Sequence, residues 1–196
     1  MESFVDEMAL AAGQDPVAFR RYLLRNHPRH LAVLDKTAEQ APWGQVSHPD
    51  AKQGVAMFES FDSIVAQIAE VSVDRRGKPR VHKVTCTIDC GLAVNPDTIA
   101  AQMECGIVYG LTAALFGEIS VEDGRVKQSN FDDYKLLRQR DMPEVSVHIL
   151  QTGDVIGGVG EPGTPPIAPA VANAIFAATG QRVRELPIGR VPTTHA

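Results

Sequence analysis

Residues 157–166, Gly-Gly-Val-Gly-Glu-Pro-Gly-Thr-Pro-Pro, can form neither a regular helix nor a regular strand, and the elements on either side must accommodate them. Four glycines in the first seven positions permit positive φ and close backbone approach. Pro162, Pro165 and Pro166 fix φ and delete N–H donors. The run holds one carboxylate, Glu161, and leads into an apolar helix predicted over 167–178. A surface turn accounts for such a run, because glycine and proline clusters usually mark turns. A loop that positions an acid or base accounts for it too, since a general base must be held within hydrogen-bond reach of its proton. A phosphate cradle does not. No Gly-Lys-Ser/Thr ending follows, and the prolines remove the amides that would hold phosphate.

The chain has 196 residues, of which 44% are hydrophobic, enough to bury a real core as one domain or as one plus a small lobe. A net charge of −5 with no basic stripe argues against a nucleic-acid partner. Three cysteines give no disulfide framework. Residue 1 leads straight into an amphipathic pattern with no signal-like segment, and the nearly apolar stretch 105–116 is too short to span a bilayer.

Punctuation divides the chain. Phe4, Val5, Met8, Ala11 and Ala12 recur at helical spacing until Gly13. Asp15-Pro16 opens a second helix over 17–26, and a third follows His27-Pro28 over 29–40. We therefore read 1–43 as a helical segment, 44–53 as a linker and 54–196 as an α+β domain. Stretches 63–74 and 80–89 flank a basic turn (Arg75, Arg76, Lys78) and predict an antiparallel hairpin with a solvated end. Asn95-Pro96 starts a long helix ending near Gly117. Asp123-Gly124 predicts a second hairpin, flanked by 118–122 and 125–128. Stretch 144–150 alternates like a strand, and 182–188 reads as a last short strand after Gly180. The class is α+β: antiparallel or mixed sheets packed with two main helices.

On the long helix, Gln102, Gly106 and Gly110 share one face, which suits either a polar ligand or close packing against a neighbour. Cys86 and Cys90 lie four apart on one predicted strand without the further ligands zinc needs, so they read as core cysteines. Cys105 has no base nearby in sequence, and no Ser/Cys–His arrangement supports an independent hydrolase.

Three motifs then occur in order: Asp89-Cys90-Gly91-Leu92-Ala93-Val94-Asn95-Pro96, Gln102-Met103-Glu104-Cys105-Gly106 and Gly158-Val159-Gly160-Glu161-Pro162. With them, essentially the whole chain resembles the C-terminal part of the molybdopterin-binding large subunit of xanthine oxidase-family molybdenum hydroxylases, of the isoquinoline 1-oxidoreductase and aldehyde dehydrogenase type. The resemblance implies that Glu161 is the catalytic base. It implies that Gln102 lies near the pterin and that the backbone of Gly158, Val159 and Gly160 borders the metal centre, with no side-chain metal ligand. Cys105 stands where the family usually has glycine.

The implied reaction hydroxylates an aldehyde or N-heterocycle with water-derived oxygen, and a water-poor loop would favour such a base. The implied cofactor is molybdopterin with molybdenum, in the cytosine dinucleotide form, needing segments absent from this chain. The implied partners are the rest of the large subunit and a [2Fe–2S] small subunit, for which no cluster-type cysteine spacing occurs here. The compartment is cytoplasmic by default, or periplasmic by export with a signal-bearing partner. The alternative is a non-catalytic remnant or assembly module of the same fold.

Overall fold

The computed structural model describes residues 1–153 and 155–191. Three helices lead: α1 (Glu2–Ala11), α2 (Pro16–Leu23) and α3 (Pro28–Gln40). Asp15 caps α2 as expected, its Oδ1 accepting from Val17 N and Ala18 N at 2.9 Å, with Pro16 in the first turn. Strands β1 (Lys52–Ser60), β2 (Ser63–Val73) and β3 (Pro79–Asp89) precede the long helix α4 (Pro96–Leu115), capped by Asn95. A small hairpin of β4 (Val121–Glu122) and β5 (Arg125–Val126), strand β6 (Glu144–Leu150) and helix α5 (Ile167–Thr179) complete the order. Gly180 closes α5 at φ 72°.

The main sheet runs β1-β2-β3-β6. The β2–β3 hairpin forms antiparallel, its turn tied by Asp74 Oδ1, which accepts from Arg76 N at 2.8 Å and Lys78 N at 2.9 Å. β6 occupies 144–150 and pairs parallel to β3, making the sheet mixed, because α4 and the segment after it carry the chain back across the sheet as a crossover. Three points differ from expectation. An additional strand, β1, ends at Ser60 and starts inside the stretch read as loop. The Asp123-Gly124 hairpin forms with both residues at positive φ, yet its strands are two residues each. Stretch 182–188 joins no sheet. It is held instead by Arg182 on Asp6 (2.8 Å), Arg184 on Glu7 (2.5 Å) and Ile188 N on Ala114 O (2.6 Å).

β2 is buried on both faces from Ser63 to Val71. On one face Val65, Ala69, Cys86 and Ile88 pack with Met103, Ile107 and Leu111 of α4 and Ile167, Val171 and Ile175 of α5. On the other, Val55 and Ile68 pack with Val17, Leu34 and Ala38, and Ile64 and Ala66 with Val33. The helices of the first forty residues thus share their core with the sheet. By length and composition α4 could cross a bilayer. Its inner side is buried in this core, the arrangement of an internal helix.

Candidate functional site

The glycine–proline loop is fixed from beneath at several points. Gly157 N donates to Cys90 O at 2.8 Å, and Gly158 N to Phe61 O at 2.7 Å. Ser63 Oγ donates to Gly158 O at 2.7 Å, and Gln67 Nε2 to Gly163 O at 2.8 Å. Thr164 N donates to Glu161 O at 2.9 Å, and Thr164 Oγ1 reaches Gly106 O of α4 at 3.2 Å. Loop and helix meet backbone to backbone. A Cβ on Gly106 would lie 3.3 Å from Gly163 Cα, and one on Gly163 would lie 3.1 Å from Met103 O. The glycine face of α4 is therefore packed against the loop, and Gln102 sits one residue from that contact.

Glu161 is exposed, and its carboxylate has no hydrogen bond or ion pair among the described residues. The described residues do not supply the water-poor surroundings expected for it, since they leave Gly160 and Glu161 exposed. Gly158 and Gly160 are exposed, Val159 is half-buried, and Gln102 is half-buried with its amide unpaired among the described residues. The N–H groups of Val159, Gly160 and Glu161 likewise find no acceptor among the described residues. At Gly160 a Cβ would meet nothing within 4 Å. Unpaired backbone amides and a side-chain amide on a pinned support offer donors to a polar organic cofactor rich in hydrogen-bond acceptors, while the Glu161 carboxylate offers an acceptor. No group of three or more His, Cys, Asp and Glu among the described residues could hold a metal by itself.

Sequence reasoning gave no role to the buried carboxylate beside this loop. Asp89 is fully buried at the end of β3. Its Oδ2 accepts from Arg29 Nε at 2.8 Å and from the Thr152 hydroxyl, and its Oδ1 from Gly91 N at 2.9 Å. Arg29 also reaches the carbonyls of Asp89 and Asp62, each at 3.0 Å. Burial alone would raise the Asp89 carboxyl, but the Arg29 guanidinium, Thr152 and Gly91 outweigh it and hold it below the usual carboxylate range. The network ties α3, the β1–β2 turn and the lead into the loop. Gly91, at φ 73°, is required there, since a Cβ would fall on Val155 O. Asp-Cys-Gly at a strand end was the visible signal, but Arg29 lies sixty residues away. Cys86 and Cys90 are buried core residues, with the Cys86 thiol pushed up to about 12 by burial; Cys90 falls just past the end of β3. Cys105 is exposed on the outer side of α4.

Residues 22–143, well over half the chain, match the molybdopterin cofactor-binding domain family. The chain belongs to that family. This molybdopterin-binding domain is 38% identical over 95% of its length to isoquinoline 1-oxidoreductase subunit beta of Brevundimonas diminuta, of which it covers 24%. It is 34% identical over 96% of its length to a protein of Gluconacetobacter polyoxogenes named membrane-bound aldehyde dehydrogenase (pyrroloquinoline-quinone), of which it covers 27%. The second name carries another cofactor, so molybdopterin is assigned from the domain family rather than from either name. The fold matches the crystal structure of the aldehyde oxidoreductase of Desulfovibrio desulfuricans with a TM-score of 0.56 and 28% identity, over 64% of this chain and 14% of that one. The chain spans about a quarter of the length of the curated relatives it matches.

Proposed function

We propose that this molybdopterin-binding domain is the catalytic segment of a molybdenum hydroxylase large subunit, with Glu161 as general base. One observation supports this above all. The only carboxylate in the Gly158–Gly163 loop projects from a backbone held at both flanks and packed onto α4 beside Gln102. Gln102 and the unpaired amides of Val159 and Gly160 would hold the cofactor's polar edge, and the cytosine dinucleotide form is the one we infer. When bound, molybdopterin with molybdenum supplies the redox centre that takes up the electron pair leaving the substrate carbon. Glu161 accepts the proton released by the attacking water-derived oxygen at its carboxylate. An aldehyde or N-heterocycle offers the electrophilic carbon such an attack needs.

Exclusion of water from Glu161 then falls to the parts of the large subunit that lie outside this chain. A [2Fe–2S] small subunit is the electron acceptor in this reading. The compartment is the cytoplasm, or the periplasm where a partner carries the export signal.

Glu161→Gln in the complete, cofactor-loaded subunit is expected to cut turnover about 10²–10⁴-fold while molybdenum content stays normal. Retained turnover sinks the assignment. The exposed apolar patch of Tyr109 on α4 with Phe131 and Leu136 of the segment between β5 and β6 favours a second reading, a partner-binding module that keeps the fold without chemistry. Stable assembly of the complete subunit without bound molybdenum would select it.

A further inference from the structure

We propose that Ser63 and Gln67, four residues apart on one face of β2, are positioning residues that set where the Glu161 carboxylate stands. The inference rests on the reading of Glu161 as base. Neither residue touches the reacting atoms. Both are fully buried. Side chains two and four residues apart on a strand share a face, and this face is the one turned toward α4, α5 and the loop. Ser63 Oγ grips the carbonyl of Gly158 at 2.7 Å, and Gln67 Nε2 grips the carbonyl of Gly163 at 2.8 Å. Those carbonyls bracket Glu161. Four strand residues span about 13 Å, whereas the five residue steps from 158 to 163 could reach about 17 Å when extended. The strand therefore spaces the two flanks closer than the loop's full reach, and the slack leaves Gly160 and Glu161 exposed between a half-buried Val159 and a buried Pro162.

Two further observations make these bonds more than incidental packing. A Cβ on Gly157 would lie 2.4 Å from Ser63 Oγ, and one on Gly158 would lie 2.9 Å from Phe61 Cβ. Only glycines let the strand end reach the loop's main chain this closely. Gln67 Oε1 is buried without a partner, a penalty that an apolar side chain of similar size would avoid. What the glutamine contributes is its N–H on Gly163.

The test compares Ser63→Ala and Gln67→Met with the unaltered protein, with Ser63→Thr as the variant that keeps the hydroxyl. In the full chain, hydrogen–deuterium exchange of the hydrogen-bonded loop amides of Gly157, Gly158 and Thr164 is expected to speed up about 10-fold while β2 and β3 stay protected. In the cofactor-loaded complete subunit, kcat is expected to fall roughly 10- to 100-fold with KM within about twofold, and Ser63→Thr to recover most of it. Ser63→Cys, which preserves volume and weakens the donor, is measured alongside so that the outcome does not hinge on an alanine cavity. Loop exchange identical to the unaltered protein in every variant overturns the proposal. So does faster exchange with kcat intact. An active Glu161→Gln enzyme removes the functional reading instead, and the exchange result would still judge whether the strand pins the loop.

Discussion

At the scale of single residues, Asp89 shows how a buried charge is tolerated. Its carboxylate has no solvent exposure and is matched by one guanidinium, one hydroxyl and one amide. Removing one partner from such a site leaves the others facing an incompletely paired charge. Arg29→Ala is expected to destabilise the fold by about 2–3 kcal/mol, the scale of hydrogen bonds to a charged group, read as a lower urea midpoint at neutral pH. The Asp89 carboxyl is held below its ordinary value, so its stabilisation is fully present above about pH 4 and is lost as pH falls through the lowered value. Without Arg29 that acid loss should begin at higher pH. Superimposable pH profiles for the two proteins would show that this carboxyl does not set acid stability. The Asp89-Cys90-Gly91 motif was legible, but its guanidinium partner was not, because nothing local links residue 29 to residue 89.

Among the elements, β1 is the one that sequence reasoning missed, and its turn explains why. Ser60 pairs with Ser63, so the hairpin turns on Phe61 and Asp62, at φ 54° and 61°. Such turns ordinarily use Asn-Gly, since glycine meets positive φ without a steric penalty. Phe-Asp gives no such signal, whereas Asp123-Gly124 gave the usual one and formed. The Phe61 carbonyl is also the acceptor for Gly158 N, so the strained turn forms part of the floor of the loop. Phe61→Asn with Asp62→Gly should stabilise the fold by roughly 1–2 kcal/mol, measured by chemical denaturation. No gain would mean that contacts of the Phe61 ring already repay the backbone. β6 teaches a second lesson. Alternation at 144–150 revealed the strand but not its direction, because one face pattern serves parallel and antiparallel pairing alike.

For the whole molecule, distant ion pairs join the beginning and end of the described chain. Arg20, almost fully buried, binds Glu2 Oε2 at 3.1 Å, and the same oxygen accepts from Met57 N of β1 at 2.9 Å. Asp6 takes Arg182 at 2.8 Å. Arg20→Leu strands the Glu2 carboxylate and should cost about 3–5 kcal/mol, seen as a lower thermal midpoint and faster proteolysis of 1–40. A midpoint within error of the unaltered protein would assign the helices' attachment to apolar packing alone. The helix caps, the glycine stop of α5, the β2–β3 hairpin and the three family motifs could all be read from the chain itself, because each depends on neighbours a few residues apart. Tertiary structure alone decided the parallel seat of β6, the Arg29–Asp89 pair and the grip of β2 on the glycine loop. Those depend on groups brought together from roughly sixty to a hundred residues apart, where adjacency comes from packing rather than from local pattern.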